Sequence, residues 1–185
     1  MKKNLKYAFI LFAICAVCAF ALGWTNSTTA PVIARQELEN KMRALEAVSN
    51  KWAIGEQADA QGVPYVMYSI PLTEGSEARG YIVGLKSAGY GGDLTMVASY
   101  TLDGEMLFAK MLTNSETPGL GKKSEQEGYM DKFKGSGSAK AVPTTKDMLE
   151  GPDAASVSGS SVTFMAIGKA IRGGSNYVKT LGGSK

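Results

Sequence analysis

The sequence predicts an α+β fold, an antiparallel sheet flanked by helices and preceded by one N-terminal transmembrane helix. Three observations carry that expectation. A run of 18 residues without a charge, 7–24, stands near the start of the chain. Four short runs rich in β-branched and aromatic residues fill the middle. An apolar pattern with helical spacing closes the chain.

The first element is the anchor. At about 1.5 Å of rise per residue, the run 7–24 just reaches across a hydrocarbon core. Lys2, Lys3 and Lys6 precede it and are expected to hold the N-terminus in the cytoplasm, with Trp24 at the far interface. Residues 1–24 are therefore read as cytoplasmic N-terminus and transmembrane anchor. A cleaved signal peptide is the competing reading, because Ala19-Phe20-Ala21 offers a small-x-small site. The run is long for a signal core, which favours a retained anchor. On either reading the rest of the chain lies outside. Cys15 and Cys18, the two cysteines of the sequence, both fall inside the run, so no disulfide framework is available to the remainder. Their spacing puts them on one helix face, but small apolar packing is the simpler role.

Residues 25–50 are expected to form a linker and a connecting helix. A polar stretch, 25–30, leads to Pro31, which suits the first turn of a helix running from Val32 to about Asn50. Ile33, Leu38, Met42, Leu45 and Val48 recur there at intervals near three and four. Residues 51–185 are read as the exported domain. Strands are predicted at 65–70, 81–87, 94–101 and 106–112. A permissive glycine loop, 88–93, joins the second to the third, and Asp103-Gly104 marks a tight turn between the third and fourth. A polar helix is predicted over 123–134, a surface loop over 135–140, and a last helix from near Ser160 through Phe164, Ile167 and Ile171.

Composition narrows the chemistry. Hydrophobic residues at 44% and charged residues at 20% are those of a globular chain and exclude wholesale disorder. The sequence contains no histidine, which removes serine–histidine triads, histidine bases and histidine metal sites. The net charge of +3 includes the three lysines ahead of the anchor, so the rest is near neutral and no nucleic-acid partner is expected.

Two segments can carry a site. Ser115-Glu116-Thr117-Pro118-Gly119-Leu120-Gly121 follows the fourth strand. Pro118 fixes one backbone angle, while Gly119 and Gly121 permit positive φ and remove bulk, so main-chain N–H groups can approach a flat ligand. A strand-to-helix turn with no ligand looks the same. The second segment, 157–163, crowds Ser158, Ser160, Ser161 and Thr163 at the start of the last helix. It reads as a serine cap, as a phosphate site on free helix N–H groups, or as a place where a serine is esterified.

The GYGGD run at 89–93, followed by a strand, an Asp-Gly turn, another strand and SETPGLG at 115–121, resembles the FMN-binding domain of the G subunit of the Rnf complex. It is similar also to the C subunit of Na+-translocating NADH:quinone reductase. The N-terminal span, the NSTTAPVI stretch, the KF-x-G ending of the middle helix and the SG-x-S-x-T segment look like that family in the same order. The likeness covers nearly the whole chain, and its shorter length looks like the Rnf subunit.

The resemblance implies FMN, joined through its phosphate to a threonine of an S-G-A-T-x-T/S motif by a separate flavin transferase. The matching residues are Ser158, Gly159, Ser160, Ser161, Val162 and Thr163, so the attachment position falls on Ser161, with Thr163 in reserve. Serine stands here for the alanine at 160 and for the threonine at 161; serine keeps the oxygen a phosphoester needs. Alanine occupies 155, where the family has an aspartate, and Asp153 is the nearest acid. Glu116, Thr117, Gly119, Leu120 and Gly121 are expected to line the ring, and Tyr90 to stack on it or to cap the glycine loop. The resemblance further implies other membrane subunits of an Rnf-type ferredoxin:NAD+ oxidoreductase coupled to Na+ or H+ translocation, and no independent turnover by this chain. The alternatives are the quinone-reductase C subunit, a free-standing exported FMN carrier, and a member that keeps the fold as a structural brace.

Overall fold

The computed structural model describes residues 2–60 and 62–182. Its elements run in the order α1 (Lys2–Val48), β1 (Ala53–Ile54), β2 (Ala58–Asp59), β3 (Val66–Glu74), β4 (Glu77–Ala88), β5 (Asp93–Thr101), β6 (Met106–Asn114), α2 (Gly151–Ser156) and α3 (Ser161–Gly182), with short 3-10 turns between β6 and α2. The strands form one antiparallel sheet ordered β1-β3-β4-β5-β6, with β2 also on β3. The fold is α+β, as expected.

The chain divides into two units, 1–41 and 42–185. The described residues of the first, 2–41, are helical, and α1 is long and apolar enough to cross a membrane. Pro31 does not begin a second helix: it lies inside α1, and residues 25–30 are helical too. Proline removes one i→i−4 bond, but helix is established on both sides. The threonines of the polar stretch turn their hydroxyls onto the helix itself. Thr25, Thr28 and Thr29 donate to the carbonyls of Ala21, Trp24 and Thr25 at 2.8, 3.2 and 2.8 Å. After Val48, Asn50 and Lys51 take φ of 55° and 65° and end the helix.

In the second unit both faces of the sheet are covered. Successive side chains of a strand point to opposite faces, and here each face finds a helix. Ala44 and Val48 from the end of α1 pack with Tyr68, Ile70, Leu72, Ile82 and Val97. On the other face α3 sets Phe164, Ile167, Ile171 and Val178, spaced three, four and seven apart, against Val83, Leu85, Met96, Ala98 and Tyr100. Fully burying one such aliphatic side chain contributes about 1.5–3 kcal/mol. The Tyr100 hydroxyl donates to the carbonyl of Ile171 at 3.0 Å, tying β5 to α3 inside the core.

Four strands stand where they are predicted, with longer ends. Strand β3 runs on through Pro71, which lies between the residues paired to β1 and those paired to β2. The Asp103-Gly104 turn forms, with Gly104 at φ 79° and its N–H donating to the carbonyl of Thr101 at 3.0 Å. The predicted polar helix over 123–134 is instead two 3-10 turns, Gly121–Glu125 and Tyr129–Phe133. Gly128, between them, is left-handed at φ 77°, which no α-helix continues through. The predicted surface loop 135–140 is pinned at one end. Ser136 is fully buried, its carbonyl accepts the N–H of Met106 at 2.8 Å, and Gly135 donates to Met106 at 2.8 Å.

Candidate functional site

One buried carboxylate joins the glycine loop after β4 to the turn after β6. Glu116 is 4% exposed, and its Oε1 accepts the backbone N–H of Tyr90 at 2.6 Å and of Gly91 at 3.2 Å. Glycine is required around it: a Cβ on Gly89 would collide with Oε1, and one on Gly121 would stand 2.5 Å from the Glu116 Cβ. Asn114, the last residue of β6, fixes the same turn from the other side. Its Oδ1 accepts the N–H of Glu116 at 2.8 Å, and its Nδ2 donates to Ser124 Oγ at 2.9 Å. Ser124 Oγ in turn donates to the carbonyl of Gly121 at 2.8 Å. The turn is a braced structure, and its Gly119 sits at φ 78°.

The second half of the site is the start of α3. Ser160 is buried; its carbonyl accepts the N–H of Phe164 at 2.9 Å, and its Oγ donates back to the carbonyl of Val157 at 3.3 Å. It is the residue before the helix, the position a cap takes, but the hydrogen bond its hydroxyl makes runs to the Val157 carbonyl and not from a first-turn N–H. The N–H groups of Ser161, Val162 and Thr163 lie in the first turn, where no intrahelical acceptor exists. That turn holds no acidic residue, and the helix behind it is 22 residues long, so no side-chain charge within the turn offsets its positive end.

A cleft of about 420 Å³ joins the halves. Tyr90, Glu116, Thr117, Leu120 and Gly121 line it together with Gly159, Ser160, Ser161, Val162 and Thr163. Of the residues expected from the sequence, the structure therefore brings ten to one place; Ser158 and Gly119 flank the lining without being part of it. Tyr90, Leu120 and Val162 are 79%, 45% and 52% exposed, so the mouth is apolar and open. Ser161 is exposed, whereas Thr163 is 2% exposed. The Glu116 carboxylate is engaged by the loop amides, which makes it a brace for the turn. Asp153 lies in α2, 3.8 Å from Lys132 Nζ.

Sequence reasoning missed Asn114, Ser124 and Tyr129, and it read Gly89 and Gly91 as a permissive loop without the carboxylate they enclose. The Tyr129 ring is buried beside Ser160 with Lys132 Nζ 4.4 Å from its centroid. Burial pushes the Tyr129 phenol up to about 12, and the Ser160 side chain pulls weakly the other way. A raised phenol favours the neutral form in the folded chain, so its contribution is intact below the unfolded value near 10 and lost as pH climbs to about 12. Urea midpoints are expected to fall across that window, with a shallower fall in Tyr129→Phe. Tyr68 and Tyr100, also raised by burial, keep part of the slope.

Comparison with known proteins agrees with this geometry. The RnfG N-terminal region matches residues 1–48, and the FMN-binding domain matches residues 89–174, which hold both halves of the cleft. The chain is 28% identical over 112 residues to the G subunit of the proton-translocating ferredoxin:NAD(+) oxidoreductase complex of Clostridium ljungdahlii, a match spanning 60% of each chain. It is 28% identical over 181 residues to the G subunit of the Na(+)-translocating ferredoxin:NAD(+) oxidoreductase complex of Acetobacterium woodii, covering 90% of this chain and 87% of that one. The G subunit of the ion-translocating oxidoreductase complex of Shewanella baltica is 25% identical over 185 residues, covering 91% and 86%.

Proposed function

Since the chain belongs to the RnfG-like FMN-binding proteins, we propose that it is the extracytoplasmic electron-transfer subunit of an Rnf-type ferredoxin:NAD+ oxidoreductase coupled to Na+ or H+ translocation, with FMN esterified at Ser161. The observation that carries this reading is the shared cleft: the glycine turn and the serine-rich helix start line one space. Its volume, about 420 Å³, falls within the range of about 300–1,000 Å³ usual for small-molecule sites.

The residues present fit the group. A phosphate at the start of α3 would meet first-turn N–H groups and the positive end of a helix. Leu120, Val162 and Tyr90 would offer apolar and aromatic surface to the ring, and the Thr117 hydroxyl would be a donor available to its polar edge. When bound, FMN supplies reversible electron transfer; the chain orients and tethers it. Ser161 is favoured over Thr163 for the ester because its side chain is exposed while Thr163 is buried. Lys2, Lys3 and Lys6 favour a cytoplasmic N-terminus, with the FMN-binding domain on the outer side of the inner (plasma) membrane. The partners are the other membrane subunits and a flavin transferase for maturation.

The test is in-gel flavin fluorescence of the membrane-extracted, denatured chain, made with a flavin transferase present. A fluorescent band is expected for the wild type, for Ser161→Thr and for Thr163→Ala, and a dark band for Ser161→Ala. A bright Ser161→Ala band moves the ester elsewhere, and a dark wild type removes the covalent tether.

A further inference from the structure

Away from the cleft, the sheet leaves one long edge open. Strand β6 is last in the order β1-β3-β4-β5-β6, and the opposite edge is blunted by β1 and β2, of two residues each. The start of β6 is closed by Gly135 and Ser136, which bond to both backbone groups of Met106 at 2.8 Å. Beyond that point a groove of about 700 Å³ runs between β6 and the two 3-10 turns. Ala109, Lys110, Met111 and Leu112 all line it. Neighbouring side chains of a strand face opposite ways, so a wall of four consecutive residues is the backbone edge and not a face of the sheet. No further strand lies beside that edge among the described residues.

The groove also has a charge. Its far wall carries Glu125, Glu127 and Asp131, all exposed, against the single cation Lys110 in the lining. Lys122 stands 3.6 Å from Glu125, while Glu127 and Asp131 have no cation within 4.0 Å among the described residues. Met111, Leu112 and Met130 supply apolar surface between the charges.

We propose that an extended segment of a partner protein, carrying alternate basic and apolar side chains, adds as a strand along residues 109–112. Main-chain hydrogen bonds to the open edge would hold it, and the acidic wall would select its side chains. Four residues span about 13 Å at about 3.3 Å each, enough for a short strand. The next residues after β6 are those of the braced turn, so such a segment would end beside the cleft. The proposal stands independently of where the flavin is attached.

The probe is an alternating Lys-Val octapeptide, with a Glu-Val octapeptide as control, added to the full-length chain in a neutral detergent. The Lys-Val peptide is expected to bind at least about tenfold more tightly than the control. It is also expected to slow hydrogen exchange at the amides of 109–112. The double variant Glu127→Lys, Asp131→Lys, at exposed positions and with its circular dichroism unchanged, is expected to erase the preference. Equal binding of the two peptides, or slowed exchange confined to other segments, overturns the proposal. Slow exchange at 109–112 in a peptide-free dimer overturns it too, by making a second copy of the chain the occupant.

Discussion

Glu116→Ala is expected to lower the unfolding free energy by about 3 kcal/mol, since hydrogen bonds to a charged group contribute about 1.5–3 kcal/mol each. Its Oε1 receives two backbone N–H groups, those of Tyr90 and Gly91, and the side chain is 4% exposed. Truncation leaves both donors without that acceptor and opens space between Gly89 and Gly121, which crowd the carboxyl group on either side. The loss is thus a polar and a packing loss at once. Glu116→Gln keeps an oxygen acceptor and roughly the same volume, so it is expected to lose about half as much. Urea unfolding checks both, with an unchanged slope showing that the compactness of the two end states is preserved. A Glu116→Ala midpoint equal to wild type would mean that the two loops are held together by something else.

Phe164→Ala has the other large effect, about 3–5 kcal/mol for removing a fully buried aromatic ring. Phe164 and Phe133 are both fully buried, with ring centroids 5.1 Å apart and planes at 23°. That stack joins the second 3-10 turn to the first turn of α3. The N–H of Phe164 is also the one bonded to the carbonyl of Ser160. A cavity there loosens the helix start as well as the core, so weakened flavin tethering is expected alongside the lowered melting temperature. Phe164→Leu, which refills most of the volume, is expected to cost about 1–2 kcal/mol.

What the sequence made legible was local. The runs around Ile82 and Val97 alternate between two covered faces, Asp103-Gly104 has the chemistry of a tight turn, and Ser160 stands where a helix cap belongs. Both halves of the cleft could be named because each is compact in sequence. What braces the first half was not legible. Glu116 and Tyr90 are 26 residues apart, and no period or spacing links a carboxylate to a distant loop amide. The Asn114–Ser124 bond crosses the same turn and is likewise made only by folding. Gly128 looked like a tolerable residue within a polar helix, yet its left-handed backbone divides that segment. Pro31 read as a boundary because proline favours a first turn, whereas a helix already formed on both sides carries it through. Strands β1 and β2, at two residues each, are too short to leave a pattern.

The proposed function requires one flavin to touch both the glycine turn and the serine-rich helix start. The direct measurement is the visible spectrum of the folded, flavin-loaded chain in Leu120→Ala and Tyr90→Ala, read beside the fluorescence of the same samples after denaturation. Both residues line the cleft that Ser161 also lines. The expected result is a shifted or less quenched native flavin spectrum in both variants, with the denatured band as bright as wild type. Native spectra that superimpose on wild type would put the ring away from the turn and contradict that requirement.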